Sequence, residues 1–300
     1  GPGVGTGAGV LSWFALAMKA AFALYGFAIL ITTLGRVGAP EELVAGLGCV
    51  AFVVINYLGV REAGHLQMGL AGFLFALMAL FMLLGLPEVE VQRFQPFTPE
   101  GAAALFSVTG YVFITYGGLL KIASMAEEIR NPTRNIPLGM IVSLLVVTVV
   151  FTLMVFVTTG VMEGEALSGS RTPISDAAEV FMGPLGAVAL GIAAGLAFLS
   201  TANAGIMTAA RSLVPLSRDK LFPRIFSRTH ARHGTPWAAL LLTGTFVLAA
   251  LFLPLDVLVE AASVVLILAN ILACLSVIIL RESGVQNYRP DFRAPLYPWL

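Results

Sequence analysis

The 300-residue chain carries 17 Lys+Arg against 17 Asp+Glu, so its formal net charge is zero, with 11% charged and 58% hydrophobic residues and a mean hydropathy of +0.92. Soluble globular chains average about 25% charged residues, so this composition excludes a soluble enzyme and a disordered chain, and the lack of basic excess excludes a nucleic-acid binder. The class that is left is an all-α polytopic membrane protein with lipid around most of its side chains.

Eight apolar runs qualify as transmembrane helices, which need about 20 residues to cross the hydrocarbon core. In chain order they are residues 11–34, 43–60, 66–86, 102–126, 138–161, 185–210, 237–252 and 257–280. Prolines punctuate the gaps between them, and none of the runs alternates polar with apolar as a barrel strand would. The Gly-rich residues 1–9 read as a loop entering a helix, and residues 287–300 as a loop leading to another. The chain is therefore expected to be an internal piece of a longer protein. Ahead of the sixth run, residues 172–182 read as a short helix with Thr172 as N-cap and Pro173 in its first turn.

Sidedness follows from Lys and Arg in the connections. One set of loops holds twelve of them, including Arg61, Arg130, Arg134 and six between Arg211 and Arg232; the alternate set holds Arg36, Arg93 and Arg171 only. The first set is expected in the cytoplasm, with both ends of the chain on that side. The stretch 211–232 with Phe222 and Phe226 reads as an interfacial loop facing anionic lipid.

Several residues inside the apolar runs need a reason. The fourth run carries Gly110, the pair Gly117-Gly118, Tyr111 and Tyr116. Adjacent glycines cost a helix about 1 kcal/mol each relative to Ala. Either the helix breaks there and its freed backbone groups hold a ligand, or small residues allow close helix packing. Lys121 follows one turn later, and Lys19 lies in the first run. An ammonium in the bilayer calls for a wet cavity or a snorkelling path to the interface. In the sixth run, Ser200 and Thr201 could complete a small-cation shell with backbone carbonyls, or bond back to their own helix. Asn56 and Asn270 are read as interhelical hydrogen bonds. No acidic residue is read at mid-membrane. Cys49 and Cys274 read as small buried hydrophobes. Enzyme motifs are missing, and His65, His230 and His233 make no credible metal site.

Tyr116-Gly117-Gly118, Ala126-Glu127-Glu128, Asn131-Pro132 and Arg134-Asn135-Ile136-Pro137 together resemble the signature of amino acid–polyamine–organocation permeases. Arg218-Asp219-Lys220-Leu221-Phe222-Pro223 with Gly234-Thr235-Pro236, and Gly59-Val60-Arg61-Glu62-Ala63-Gly64, are similar to two further motifs of that family, in the same order. The resemblance implies a leucine-transporter-type bundle of two inverted five-helix repeats, here truncated to about helices three to ten. Residues 1–86 would hold the last three helices of the first repeat, 102–280 the whole second repeat, and 281–300 a cytoplasmic loop. It also implies a secondary transporter for amino acids or related organic amines, working by alternating access in the plasma (inner) membrane. Thr115, Tyr116, Gly117 and Gly118 would contact substrate. Leu120 and Leu74 stand where some members carry an acidic residue and a proton-coupling lysine. Ser200-Thr201 resembles the paired hydroxyls of sodium-coupled members. Sodium is thus the first coupling expectation, uncoupled exchange the second and a Lys121-based proton mechanism the third. A sensor or scaffold that kept the fold but lost transport is the alternative of another class.

Overall fold

Residues 2–59, 64–97, 101–117, 129–230 and 234–283 are described by the computed structural model. Among them there is no strand. The α-helices are α1 (Pro2–Thr33), α2 (Glu41–Tyr57), α3 (Gly64–Gly85), α4 (Gly101–Phe113), α5 (Pro132–Val161), α6 (Gly164–Gly169), α7 (Pro173–Arg218), α8 (Trp237–Ala250) and α9 (Leu255–Glu282). Each of the eight expected spans has a helix within it, and among the described residues α1, α3, α5, α7 and α9 are long and apolar enough to cross a bilayer by themselves. At about 1.5 Å per residue, the 17 residues of α2, 13 of α4 and 14 of α8 fall short of the core thickness.

Three boundaries differ from the sequence reading. Helix α1 starts at Pro2 rather than after the glycines; Pro is well suited to a first turn because its missing N–H has no partner there in any case. From its third turn it rests on α7, where Gly9 meets Leu216. Helix α5 starts at Pro132, so Arg134 is helical and Pro137 is absorbed in the helix. Helix α7 runs on to Arg218, so only the latter part of the stretch 211–232 is a loop.

The expected short helix at 172–182 is present as the first part of α7. It ends at Gly183, whose φ of 70° and ψ of −173° interrupt the helical path. An L side chain rarely adopts that backbone, and Pro184 then begins the long span. The Thr172 Oγ1 hydroxyl donates to Asp176 Oδ1 at 3.1 Å instead of accepting from a backbone N–H as a cap.

The main core lies where α1 packs against α7, α9, α2 and α8. Small residues make this possible. Ala17, Ala20 and Ala21 of α1 and Ala202 and Ala209 of α7 are all fully buried. At Gly205 an added Cβ would stand 2.9 Å from the Ala20 Cβ and 3.4 Å from its Cα, so the two backbones meet almost directly. Such small-residue seams supply the van der Waals contact that drives helix association in lipid.

Polar links tie the core laterally. The indole Nε1 of Trp13 donates to Thr243 Oγ1 at 3.0 Å, and Asn56 Nδ2 donates to Asn203 Oδ1 at 2.7 Å between α2 and α7. The interhelical role expected of Asn56 therefore holds. Asn270 differs: its amide bonds back to Leu266 O of its own helix at 2.8 Å, the local alternative open to a short polar side chain in a helix. Cys49 is buried, with its thiol 3.7 Å from Gly244 O. Cys274 is exposed, against expectation.

A second, smaller cluster joins α3, α5 and the early part of α7 around Phe81, Met154, Val157 and Leu190. Large apolar side chains elsewhere on α5 and α9 point outward, Val146 and Ile279 among them, as expected of a lipid-facing surface.

Candidate functional site

Helix α4 contains Gly110 but stops before Gly117. It ends at Phe113, tightens into a 3-10 turn at Ile114–Tyr116, and Gly117 lies buried in the turn that follows. Among the described residues the α-helix stops where the sequence allowed a break, with Thr115 exposed and Tyr116 half-buried. The Thr115 Oγ1 hydroxyl donates to Val112 O at 2.7 Å. The Tyr116 ring tilts against Phe151 of α5, with centroids 6.2 Å apart. Gly118, Leu120, Lys121 and the Ala126-Glu127-Glu128 motif lie outside the described residues, as do residues 60–63 of the Gly-Val-Arg-Glu turn and residues 284–300.

Beside this break is a cavity of about 300 Å³, at the lower end of the range for small-molecule sites. Three elements bring four polar side chains to its wall: Lys19 from α1, Thr115 from the turn after α4, and Ser175 and Thr201 from the two parts of α7. Phe22, Phe198, Met78 and Leu74 supply apolar wall. Thr115 and Thr201, 86 positions apart in the chain, therefore share one space. Ser200 is half-buried one position away but is not part of the cavity wall. Successive helical residues point about 100° apart, so adjacent hydroxyls do not face the same way.

Sequence reasoning missed one polar contact at the site. Glu260, in the second turn of α9, accepts a hydrogen bond from the Tyr111 hydroxyl of α4. Its position within the run 257–280 was the available signal that an acidic side chain enters a span. The contact matters because α4 and its 3-10 turn rest chiefly on α9. Among the described residues, no group of three or more His, Cys, Asp or Glu gathers as a metal site.

At one end of the bundle, Glu41 at the start of α2 meets Arg171, which precedes α7, through a two-pronged ion pair of 2.6 and 2.8 Å. Thr32 of α1 adds a hydroxyl 3.3 Å from the same carboxylate. The Arg171 guanidinium holds the Glu41 carboxyl below its ordinary value, although partial burial works against the shift. At the opposite end, Thr235 Oγ1 donates to Tyr57 O at 3.1 Å, and His230 lies edge-on to the Tyr57 ring at 5.5 Å. The loop beyond α7 thereby fastens onto the close of α2.

The family model described as "Amino acid permease" matches residues 1–300. The chain is 29% identical over 250 residues to a branched-chain amino acid permease of Bacillus subtilis, covering 83% of this chain and 54% of that protein. It is 28% identical over 265 residues to a methylthioribose transporter of the same organism, covering 87% and 56%. To a chloroplastic cationic amino acid transporter of Arabidopsis thaliana it is 29% identical over 202 residues, covering 64% and 35%. It thus spans about half the length of the first two relatives.

Proposed function

The chain belongs to the amino acid permease family, a family of helical multi-pass membrane permeases and not of enzymes, and from that premise we propose that it moves amino acids or related organic amines across a membrane by alternating access. The observation that carries the reading is the broken α4 beside a cavity into which Thr115 and Thr201 both open. A broken helix leaves backbone groups without intrahelical partners, and in a bilayer such groups are tolerated where they face a cavity or a polar ligand. Thr115, Tyr116, Gly117 and Gly118 are the substrate contacts in this reading. Two inverted repeats, 1–86 in part and 102–280 in full, rock against each other around them. Substrate drives the change only as far as it binds one state better than the other. The Arg-rich connections face the cytoplasm of a plasma (inner) membrane.

For coupling, the reading takes sodium, held by Thr201 and Ser200 with backbone carbonyls. Uncoupled exchange is the second reading, and one observation favours it. Lys19 lines the same cavity as Thr201, and an ammonium raises the cost of placing another cation nearby.

Uptake of a panel of labelled amino acids into proteoliposomes holding the whole protein tests both levels. Uptake or exchange of at least one is expected; a panel with neither returns the protein to a non-transporting sensor or scaffold. Accumulation should vanish without sodium, and sodium dependence should fall in a Ser200→Ala, Thr201→Ala double variant. Unchanged sodium dependence in that variant rejects the ligand assignment.

A further inference from the structure

A second cavity, of about 520 Å³, lies between α2 and α8 and shares no lining residue with the one beside Thr115. Each helix gives it one face. On α2, Tyr57 follows Val54 by three positions and Val53 by four; on α8, Trp237 precedes Leu240 by three and Leu241 by four. These are the spacings that bring helical side chains together. Tyr57 is the last residue of α2 and Trp237 the first of α8, so both aromatics lie at one end of the groove. His230 joins them there from the loop before α8. About one helical turn further along, the described lining is aliphatic, with Val54 and Leu241 exposed. The groove thus grades from aromatic and imidazole rings at its mouth to hydrocarbon beyond.

Positive charge is anchored beside the mouth. The 3-10 turn Arg224–Ser227 packs against α7 and α8, and Arg224 and Arg228 are both exposed. Arg228 comes two positions before His230, a separation of at most about 7 Å along the backbone. The loop is tied to this place: the His230 N–H donates to Thr235 O at 2.9 Å, and Thr235 is itself fastened to Tyr57.

We propose that this groove binds an anionic phospholipid, with one acyl chain along Val54 and Leu241 and the phosphate at Arg224 and Arg228. The inference needs only that α2 and α8 sit in a bilayer and is independent of the transport reading. Tyr and Trp favour the headgroup level, where an apolar ring and a polar tip are both satisfied. That sets the mouth at the membrane surface and the aliphatic part in the hydrocarbon. Guanidinium groups match phosphate oxygens in a two-pronged geometry, and basic side chains at the surface favour anionic over zwitterionic lipid. A peptide from the aqueous phase would have to enter the hydrocarbon to reach Val54 and Leu241; a lipid is already there.

Native mass spectrometry of the purified whole protein, with phosphatidylglycerol and phosphatidylcholine of identical tails, tests the site. Phosphatidylglycerol should be retained at least about tenfold better. The double variant Arg224→Gln, Arg228→Gln should bring the two lipids to within about threefold of each other. Val54→Trp, which fills the open side of the groove, should lower retention of both severalfold, and Arg36→Gln, in another loop, should leave the preference intact. A photoreactive p-benzoylphenylalanine placed at Leu241 should gain the mass of a phospholipid on irradiation in vesicles of the two lipids. Equal retention of the two lipids in the unaltered protein, or an unchanged preference in the double variant, overturns the proposal. So does displacement of phosphatidylglycerol by inorganic phosphate alone, which would leave the acyl chain no part in binding. A crosslink from position 241 to the protein's own chain, in place of lipid, assigns the groove to a segment of the whole protein and overturns it as well.

Discussion

Helices α1 and α4 both sit beside the cavity, yet they are held in different ways. The best apolar stretch of α1 is 61% buried and packs on four other helices, through alanines and the Gly205 approach. Helix α4 has no buried residue and rests chiefly on α9, fastened by the Tyr111–Glu260 hydrogen bond and, past the break, by the Tyr116–Phe151 ring contact. The dry small-residue seam makes a frame that resists change. A segment with few buried apolar contacts belongs to the low-stability end of a fold, from which ligand-binding and moving parts are drawn. Among the described residues α1 and α7 are thus the tightly packed side of the cavity, and α4 leads to its loosely packed side.

The sharpest way to break that division is to overpack the seam. Gly205→Val forces branched methyl groups into the Ala20 backbone and should cost about 1–3 kcal/mol, read as a lowered melting temperature of the purified protein in detergent. Val146→Ala on the outward face of α5 should stay within about 0.5 kcal/mol. Equal melting of the two variants would erase the distinction between frame and periphery. A smaller effect is expected when the seam loses a polar tie. Asn203→Leu removes the acceptor that Asn56 uses in the interior and should cost about 1 kcal/mol; a neutral outcome would show that the frame depends on packing alone.

The smallest effect concerns the ion pair at the end of the bundle. Glu41 has its pKa lowered in the folded state, chiefly by the Arg171 hydrogen bond. Its contribution to stability is therefore present above the ordinary carboxylate pKa and is lost as pH falls through the folded value. The melting difference between the unaltered protein and Arg171→Gln should be measurable at neutral pH and close as the pH drops below about 4. A difference independent of pH would mean that Arg171 acts through packing.

The helices were legible in the sequence because lipid requires long apolar runs, and the break in α4 because a glycine pair beside aromatics is poor helix. Other features depended on tertiary context. Nothing local in the Gly-rich start signals helix, and the contact with α7 begins only at Gly9. Ser200 and Thr201 looked alike as neighbours, but the rotation of α7 brings only Thr201 to the cavity wall. Lys19 lies 96 positions from Thr115 in the chain, and only the fold sets the two at one cavity. Glu260 was overlooked because its run reads as apolar on average, and only the fold pairs it with Tyr111.

The kink at Gly183 has a mechanical meaning. Ile174 and Ser175, on the short arm before it, and Thr201, on the long shaft after it, border the same cavity. Arm and shaft form a bell-crank with its pivot at a single residue. The angle set at Gly183 therefore fixes how far Ser175 on the arm stands from Thr201 on the shaft, and with it the span of the cavity.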